Sequence, residues 1–495
     1  MVAFLTFLLA NLLMFLTIWM SEKYDQVSLD QFIYQLKTST AGANSKLVNT
    51  AYIRVGVFGV TLTLLEAVVY LFASGTAFFW ISRIIRTKKP VRSKIRGFVV
   101  NATPFLALGM LVFSVCFFTI RMNFVDYAKG MLTKSTFIEE EYVDPSEVNL
   151  TFPEAKRNLI YIFLESLEVT FAEPEAGGYI TDNFIPELCQ LAEENVSFSH
   201  NDNLGGALSY WGTNWTASAM VAQTAGVPIQ VPVLATNFGG DDPYMPGVVS
   251  IGELLSKEGY SNTLLVGSNA DFGNRDDYFE DHGAFRIVDT ESLQAEGRLD
   301  PDYRVWWGFE DAKLFEYAKE ELTRLSQEDA PFNFTMLTCD THFPNGYRCD
   351  LCEDDYNDPY PNVVRCSSKQ LYAFIRWIQE QPFYEDTTIV LCGDHLTMDP
   401  NFMQPVNDDY VRTIYNCIIN PAAEPVNEQN RLFGTFDMLP TTLGAMGVTI
   451  EGNRLGLGTN LFSDKQTLTE EFGHAYVHWE FQKYSRFYNK ELLGM

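Results

Sequence analysis

The chain has 495 residues, which leaves room for roughly two or three domains and at least one large core. It carries 63 Asp and Glu against 35 Lys and Arg, for a formal net charge of -28. Such an acidic chain offers no broad basic surface for phosphates, which argues against nucleic acid as a partner. An anionic ligand would therefore have to be held by a few local cations.

Three apolar runs occupy the N-terminal part of the chain, namely Met1–Met20, Ile53–Ile81 and Phe98–Ile120. Each has about the 20 residues that an apolar helix needs to span a bilayer. The short loop Arg83–Arg96, RIIRTKKPVRSKIR, holds seven Lys and Arg, and such a loop marks the cytoplasmic side. We therefore predict a multi-pass membrane protein with about three transmembrane helices, whose chain after Arg121 lies outside the cytoplasm.

The loop 21–52 is polar but contains one amphipathic patch, Val27–Leu36, which we expect on the outer face of the membrane. The segment after the third run is rich in acids and indicates a connector between the membrane and a soluble domain. Four parts are predicted in chain order: a membrane anchor over 1–121, a connector over 122–157, a catalytic domain over 158–465 and a helical tail over 466–495.

From Asn158 onward, strand and helix patterns alternate, which predicts an α/β domain with a mostly parallel sheet. Strands are predicted over Leu159–Leu164, Ser261–Val266, Phe332–Thr338, Thr387–Cys392 and Arg412–Ile419. Helices are predicted over Ile185–Glu194, Thr216–Thr224, Val248–Glu258, Asp311–Ser326, Ser368–Gln381, Thr435–Met446 and, in the tail, Leu468–Leu493. The tail helix carries His474 and His478, for which we favour a surface or packing role because the Glu of a zincin motif is missing.

Two of the predicted strands end in residues that commonly bind metals. The strand Leu159–Leu164 is apolar throughout, as expected when both faces of a sheet are covered, and it ends on Glu165. The strand Thr387–Cys392 is followed by Gly393, Asp394 and His395. Ligand sites in open α/β sheets lie beyond the carboxyl ends of the strands. Glu165 alone could be an acid at a helix start, but two such strand ends favour a metal site.

A hydroxyl group stands at the start of a predicted helix in the stretch Gly212–Met220, GTNWTASAM. The free N–H groups and the helix dipole make this a suitable place for a nucleophile that attacks phosphorus. Either Thr213 or Thr216 could fill this role, or simply cap the helix. With the carboxylates and the imidazole, a threonine completes an O/N ligand set for one divalent cation, such as Mn²⁺ or Zn²⁺, with Mg²⁺ as an alternative.

Three of the eight cysteines, Cys349, Cys352 and Cys366, cluster in an Asp-rich segment. On the outside of a cell they predict a disulfide loop, Cys349–Cys366 or Cys352–Cys366. A zinc site is less favoured because a fourth ligand at the usual spacing is missing.

Five stretches resemble, in their order, the lipoteichoic acid synthase and phosphoglycerol transferase group of the alkaline phosphatase superfamily. They are NLIYIFLESLE, GTNWTASAMVAQTAGVP, TLLVGSNADFGNRDDYFEDHG, TMLTCDTHFP and VLCGDHL. The resemblance covers about residues 150–465, and a several-helix membrane anchor also fits it. It implies an alkaline-phosphatase-like α/β/α domain with a sulfatase-like site.

The resemblance also implies roles for six residues. These are the metal ligands Glu165, Asp394, His395 and Thr216, the last also as the nucleophile, and the substrate-binding residues His342 and Arg275. The lipoteichoic acid branch has a tryptophan two residues before the arginine, where this chain has Gly273, which implies a different shape of the glycerol pocket. For His282 we favour a structural role.

Taken together, these features imply a bacterial enzyme that moves glycerophosphate from phosphatidylglycerol to a hydroxyl of a glycan or of a polyglycerolphosphate chain. The alternatives are a phosphoethanolamine transferase, a phosphodiesterase or phosphatase with water as acceptor, and an inactive membrane sensor. No Cys-x-Pro-x-Arg stretch is present, which argues against a formylglycine sulfatase. No second set of Asp and His ligands is evident, which favours one metal. Asn214-Trp215-Thr216 is formally a glycosylation sequon, and a glycan there would block Thr216, which favours a bacterial origin.

Overall fold

The computed structural model describes residues 1–23, 29–74, 76, 93–403, 406–407 and 409–495. The chain forms two compact units. The smaller unit consists of Met1–Leu29 and Ala43–Ala128, and the larger of Asp30–Gly42 and Lys129–Met495. The predicted domain boundaries stay a prediction, but one feature differs plainly: the segment Asp30–Gly42 is part of the larger unit.

The smaller unit contains three helices that are long and apolar enough to cross a membrane, over Val2–Lys23, Val48–Ala73 and Gly97–Arg121, with mean hydropathies of 2.2, 2.0 and 2.1. They overlap the three predicted runs and indicate a membrane location. Residues 75 and 77–81 of the second predicted run, Ile53–Ile81, lie outside the described residues. Within this unit, Asn11 donates hydrogen bonds to Thr63 and Glu66 and so links the first two of these helices. Of the basic loop Arg83–Arg96, residues 83–92 lie outside the described residues, so the orientation stays a prediction.

A six-stranded sheet forms the centre of the larger unit. Its strands are β1 (Asn158–Leu164), β2 (Ser261–Val266), β3 (Arg286–Val288), β4 (Phe332–Leu337), β5 (Thr387–Gly393) and β6 (Asn416–Ile419). The strand order is β3-β2-β4-β1-β5-β6, and all neighbours are parallel except β5 and β6. The apolar side chains of β1 are buried, because helices cover both faces of the sheet. The predicted α/β class with a mostly parallel sheet is confirmed.

Helices of the larger unit pack on this sheet and connect its strands, and the helices of both units follow here as far as the structure describes them. In chain order the α-helices are α1 (Val2–Lys23), α2 (Leu29–Lys37), α3 (Ser45–Ala51), α4 (Phe58–Ala73), α5 (Ser93–Arg121), α6 (Phe124–Leu132), α7 (Phe137–Glu141), α8 (Pro186–Glu194), α9 (Thr216–Ala225), α10 (Ile251–Lys257), α11 (Arg275–Asp281), α12 (Thr290–Ala295), α13 (Asp311–Leu325), α14 (Pro359–Gln379), α15 (Pro400–Met403), α16 (Met438–Ala445), α17 (Leu468–Phe472) and α18 (His474–Gln482). Helix α13 shows the usual pattern, since its buried residues Leu314, Ala318 and Leu322 recur every four positions. Two-residue strands pair antiparallel as Leu150–Thr151 with Thr449–Ile450, and Arg454–Leu455 with Gly458–Thr459.

Three predicted elements differ from those observed. Helix α14 begins nine residues before the predicted start at Ser368, because Asp358 caps it and Pro359 occupies its first position. The predicted strand Arg412–Ile419 is regular only from Asn416. The predicted tail helix Leu468–Leu493 is broken after Phe472, because Gly473 adopts a φ of 83°. It continues as α18 and as a π-helical turn over Tyr488–Leu492.

The amphipathic patch Val27–Leu36 also differs from its prediction. Its described residues belong to α2, and Tyr34 on this helix is 1% exposed and lies within the larger unit. We expected this patch on the outer face of the membrane, but its aromatic side packs against protein instead. The sequence pattern was amphipathic for that reason, since a helix that covers a domain and a helix that covers a membrane look alike in sequence.

Candidate active site

The register of the sheet brings two distant carboxylates together. Leu164 at the end of β1 lies opposite Gly393 at the end of β5. The next residues, Glu165 and Asp394, therefore leave neighbouring parallel strands side by side at the carboxyl edge of the sheet, where ligand sites of such folds lie. His395 follows directly, and one ligand atom from each of the three residues lies within 4.8 Å of those of the other two. All three side chains are buried.

The donor atoms of this trio suit a cation. His395 Nδ1 lies 2.8 Å from the carbonyl oxygen of Leu396, so it carries the ring proton and leaves a lone pair on Nε2. His395 Nε2 lies 3.4 Å from Asp394 Oδ2 and 3.6 Å from Glu165 Oε1. Asp394 Oδ2 is buried without a hydrogen-bond donor among the described residues. A divalent cation would satisfy these facing lone pairs, and mixed carboxylate and imidazole donors fit Mn²⁺, Zn²⁺ or Mg²⁺.

Electrostatics at the trio are those of crowded acceptors. Burial, reinforced by the charge of Glu165, raises the pKa of Asp394 to about 7. Burial lowers the pKa of His395, but the carboxylates of Asp394 and Glu165 outweigh it, so that its pKa is raised overall. Backbone N–H groups of Ser166 and His395 both donate to Asp394 Oδ1, each at 2.7 Å, and fix the orientation of this carboxylate.

The hydroxyl of Thr216 lies beside the trio. Thr216 is the first residue of α9, where the N–H groups of the first turn are free of helical partners. Its Oγ1 lies 3.3 Å from Glu165 Oε2 and 3.4 Å from His395 Nε2. Thr213, the alternative that the sequence left open, is buried, and its hydroxyl exchanges hydrogen bonds with the backbone of Tyr210. Of the two threonines, only Thr216 contacts the trio.

Arg275 is a buried cation on the same pocket. Its Nε and Nη2 donate to Phe272 O, Ser268 Oγ and Asn269 O at 2.7–2.9 Å, which holds the guanidinium in one position. Burial lowers its pKa. The described residues provide neither a salt-bridge partner for Arg275 nor an acceptor for its Nη1. Two N–H groups of a fixed guanidinium are thus left for an anionic ligand.

His342 also lines this pocket. Its Nδ1 donates to the carbonyl oxygen of Phe343 at 2.5 Å, and its ring packs on Trp307. Burial lowers the pKa of His342 to about 4, so the ring is neutral near pH 7. Because Nδ1 holds the proton, Nε2 is an acceptor in this state.

The pocket is partly open to solvent. Glu165, Thr216, Arg275 and His342 line it together with residues that the sequence did not single out. These are Tyr34, Gln35, Ala217, Ser268, Phe272, Trp307, Leu337, Thr338 and Cys339. Gly273, which the resemblance places at the glycerol pocket, lines it as well. Leu337 and Thr338 could have been found, because they end the parallel strand β4 beside β1. Tyr34 and Gln35 could not, because they precede the domain by more than a hundred residues.

Several buried residues hold the edge of the sheet in place, and the sequence did not point to them. Ser166 adopts a φ of 55° directly after Glu165 and donates its hydroxyl to Glu165 Oε1 at 2.7 Å. Thr338 Oγ1 accepts the N–H of Glu165 at 3.0 Å. Glu168 forms a buried ion pair with Arg412, with a distance of 2.6 Å from Oε2 to Nη2. These contacts fix the backbone that presents Glu165.

The remaining candidate ligands lie in other groups. All eight cysteines are described and all are free thiols, so neither expected disulfide is present. Cys349 Sγ lies 3.7 Å from Cys352 Sγ and 3.9 Å from Cys366 Sγ. No fourth Cys, His, Asp or Glu joins this group within the described ranges.

The other histidines make packing contacts. His282 is buried between Glu253 Oε2 and the carbonyl oxygen of Tyr244, at 3.0 and 2.6 Å from its two ring nitrogens. His474 Nε2 lies 3.0 Å from the carbonyl oxygen of Ser209, and its ring packs on Tyr210. Burial lowers the pKa of His478 to about 4. These contacts agree with the structural and packing roles favoured from the sequence.

Comparison with known proteins places this site in a family. The family model described as Sulfatase matches residues 157–448, which is more than half of the chain and includes every one of the six predicted site residues. The chain belongs to the sulfatase family. Its resemblance to the lipoteichoic acid synthase and phosphoglycerol transferase group, within the alkaline phosphatase superfamily, is thereby confirmed.

Curated relatives of this sulfatase-family chain include phosphoglycerol transferase I from Escherichia coli strain 55989 and from Shigella boydii serotype 18. Each is 32% identical over 340 residues, which cover 67% of this chain but only 42% of the relative. The chain therefore matches less than half the length of these proteins.

Two solved structures share the fold. The lipoteichoic acid synthase LtaP from Listeria monocytogenes has a TM-score of 0.50 at 19% identity, over 66% of this chain and 81% of LtaP. The integral membrane lipooligosaccharide phosphoethanolamine transferase EptA from Neisseria meningitidis has a TM-score of 0.51 at 13% identity, over 89% of this chain and 83% of EptA.

Proposed function

We propose that the protein is a membrane-anchored transferase that moves glycerophosphate from phosphatidylglycerol to a hydroxyl of a glycan or of a growing polyglycerolphosphate chain. The observation that supports this best is the position of the Thr216 hydroxyl. It lies at a helix start and within 3.4 Å of both Glu165 and His395, in a pocket that also contains an arginine without an ion-pair partner among the described residues. The curated relatives named above are phosphoglycerol transferases.

A single divalent metal ion, for which Mn²⁺ is our first choice, would be held by Glu165, Asp394, His395 and Thr216. When bound, it would lower the pKa of the Thr216 hydroxyl and neutralise charge on the phosphoryl oxygens. The buried acceptor Asp394 Oδ2, which lacks a donor among the described residues, supports such an occupant. Zn²⁺ and Mg²⁺ are the alternatives, and their affinities can be compared directly.

The chemistry proceeds in two displacements at phosphorus. Thr216 Oγ1 forms a bond to phosphorus, and the bond from phosphorus to the diacylglycerol oxygen breaks, so that diacylglycerol leaves and glycerophospho-threonine remains. Glu165 Oε2, 3.3 Å from Thr216 Oγ1, is placed to take the hydroxyl proton. The leaving diacylglycerol oxygen takes a proton from solvent. The acceptor hydroxyl then attacks phosphorus, and the bond from phosphorus to Thr216 Oγ1 breaks as Glu165 returns its proton to that oxygen. His342, neutral and with Nε2 as an acceptor, is suited to take the proton of that incoming hydroxyl.

Arg275 would hold the phosphate or the glycerol of the headgroup. Its Nη1 group has no acceptor among the described residues, and its other nitrogens are fixed by three hydrogen bonds. The two N–H groups of Nη1 can donate to oxygen atoms of a phosphate or diol, and the positive charge favours an anion. In an acidic chain this local cation is what an anionic headgroup requires.

The membrane location supports a lipid as donor, since a phospholipid headgroup stays at the bilayer surface. We propose a bacterial multi-pass protein whose larger unit lies outside the cytoplasm, on the basis of the basic loop Arg83–Arg96 and the three apolar helices. Phosphatidylethanolamine as donor and water as acceptor remain alternatives that an assay of donors and products separates.

The direct test uses the full-length protein in vesicles that contain phosphatidylglycerol labelled in its headgroup. We expect release of diacylglycerol by the wild type and its loss in Thr216→Ala. Thr213→Ala is the matched control, because it removes a neighbouring hydroxyl that does not contact the trio, and we expect it to keep turnover. Full turnover by Thr216→Ala would exclude the covalent route. Turnover of phosphatidylethanolamine alone, or transfer to water alone, would replace the proposed donor or acceptor.

A further inference from the structure

Residues that precede the second membrane helix form part of the pocket. In sequence, Asp30–Gly42 lies between the first two candidate membrane spans, yet it belongs to the larger unit. Tyr34 on α2 is 1% exposed, and its hydroxyl lies 2.7 Å from the carbonyl oxygen of Gly273 and 2.8 Å from the hydroxyl of Tyr244. Tyr34 is therefore part of the core of the larger unit.

Polar contacts attach this segment to the loop that precedes Arg275. Ser39 donates its N–H to Asn274 Oδ1 at 2.6 Å and its hydroxyl to Asp271 Oδ2 at 2.7 Å, and its carbonyl oxygen accepts the N–H of Gly273 at 3.0 Å. Lys37 Nζ donates to the carbonyl oxygens of Val233 and Ala235, each at 2.7 Å. The loop over residues 269–274 thus has the segment 34–39 as its outer support.

The Tyr34 ring also lies close to Gly273. Gly273 has a φ of 72°, which favours glycine, and a Cβ built there would lie 4.0 Å from Tyr34 Cε1 and 3.9 Å from Ala217 Cβ. The Tyr34 ring packs on Trp215 and Phe238, with centroid distances of 5.7 and 5.4 Å. Tyr34 and the adjacent Gln35 line the same pocket as Thr216 and Arg275.

We propose that α2 supplies one wall of the substrate pocket, with Gln35 as a specificity-determining residue that contacts the headgroup, and with the contacts of Tyr34 and Ser39 positioning the loop that carries Arg275. The identity of that headgroup rests on the proposed function. The membrane anchor and the site are then not independent parts, because the polypeptide between two membrane helices completes the pocket. A chain that begins at Lys129 would lack this wall.

The test compares three substitutions on α2 in the full-length protein, reconstituted in phosphatidylglycerol vesicles. Tyr34→Ala removes the wall, and we expect kcat/KM for the lipid to fall about 10-fold or more, mainly through KM. Tyr34→Phe keeps the ring and should stay within about 3-fold of the wild type. Leu36→Ala is the matched control, because Leu36 is 71% exposed on the same helix and does not line the pocket. It should leave both constants unchanged.

A second measurement does not depend on turnover. Hydrogen exchange of the backbone over residues 269–276 should become faster in Tyr34→Ala and stay unchanged in Leu36→Ala, because only the former removes a support of this loop. If the wild type does not turn over phosphatidylglycerol but exchange responds as expected, the proposed donor is wrong and the support of the loop by Tyr34 stands. An unchanged KM together with unchanged exchange in Tyr34→Ala would contradict the proposal that α2 forms a wall of the pocket.

If Tyr34→Ala fails to fold, Gln35→Ala decides the matter, because Gln35 is only partly buried and also lines the pocket. An increase of KM in Gln35→Ala supports the wall. A KM equal to that of the wild type in Gln35→Ala would then overturn it.

Discussion

Two groups of three potential metal ligands occur in the described part of this chain, and they are built differently. Cys349, Cys352 and Cys366 lie close together in the sequence and consist of one kind of donor. Glu165 precedes the adjacent residues Asp394 and His395 by more than 220 residues, and the three combine carboxylates with an imidazole. The sequence makes the first group conspicuous, whereas only the sheet brings the second together.

The two groups also differ in their surroundings. The carboxylate group adjoins a pocket with Thr216 and Arg275 and contains a buried oxygen that finds no donor among the described residues. The thiols contact one another and accept hydrogen bonds from the Gln370 amide, at 3.3 Å for Cys366. In this chain, position at the carboxyl edge of parallel strands, rather than the number of ligand residues, sets the Glu165, Asp394 and His395 group apart from the cysteine group.

The largest expected effect on turnover comes from a substitution among Glu165, Asp394 and His395. Asp394→Asn removes a charged ligand with little change of shape, and we expect turnover of phosphatidylglycerol to fall by about 10³-fold, because metal assistance contributes several kcal/mol. Diacylglycerol release measures it, and circular dichroism checks that the variant is folded. More than a tenth of wild-type turnover in Asp394→Asn would exclude Asp394 as an essential metal ligand.

A smaller effect is expected at the cation of the pocket. Arg275→Lys keeps the positive charge but loses the planar pair of donors, so we expect KM for the lipid to rise about 10-fold with a smaller change in kcat. Arg298→Lys is a suitable control, because Arg298 binds the carboxylates of Glu320 and Glu321 and none of these three residues lines the pocket. Equal KM values for both variants would argue against a headgroup contact by Arg275.

The thiol group should matter little for turnover. Replacing Cys349, Cys352 and Cys366 together by Ser should leave kcat/KM within about 2-fold of the wild type, since none of them lines the pocket. A lower melting temperature with unchanged turnover would show that the three cysteines contribute to stability and not to turnover. A fall of turnover comparable to that of Asp394→Asn would instead make the two groups equivalent and contradict the contrast drawn above.

The smallest expected effect concerns the pH dependence of stability and a second buried carboxyl group, that of Asp437. Burial raises the pKa of Asp437 from 3.8 to about 7, as it does for Asp394, but both oxygens of Asp437 accept backbone N–H groups. The folded state therefore binds this proton more tightly, so the stability that it contributes is complete below about pH 4 and is lost as the pH rises through about 7.

For Asp437→Asn we accordingly expect a smaller fall of the melting temperature between about pH 5 and about pH 8 than for the wild type, by roughly 2–4 °C per kcal/mol of linked free energy. Asp464→Asn, at an exposed position, should keep the wild-type dependence. The measurement is thermal unfolding at matched ionic strength. An identical pH dependence in all three proteins would show that Asp437 is not protonated in the folded state.

The sheet and the proximity of Glu165, Asp394 and His395 could be predicted from the sequence. Buried parallel strands are recognisable as apolar runs, and ligand sites of such sheets lie at the carboxyl ends of the strands. The sequence could not decide between Thr213 and Thr216, since both stand ahead of one helix and only tertiary packing shows which hydroxyl faces Glu165. It misplaced α2, because Tyr34 and its partner Gly273 are separated by 239 residues and an amphipathic helix resembles a membrane-surface helix. The broken tail depended on one glycine, Gly473, with a positive φ.

The central claim is that four side chains, contributed by β1, α9 and β5, share a single cation. The most direct test is the metal content of purified full-length protein after loading with Mn²⁺ and removal of excess ion, for the wild type, Asp394→Asn and the triple Cys→Ser variant. We predict one bound ion per chain in the wild type and in the triple variant, and none in Asp394→Asn. An ion that is kept by folded Asp394→Asn but lost from the triple variant would contradict this account.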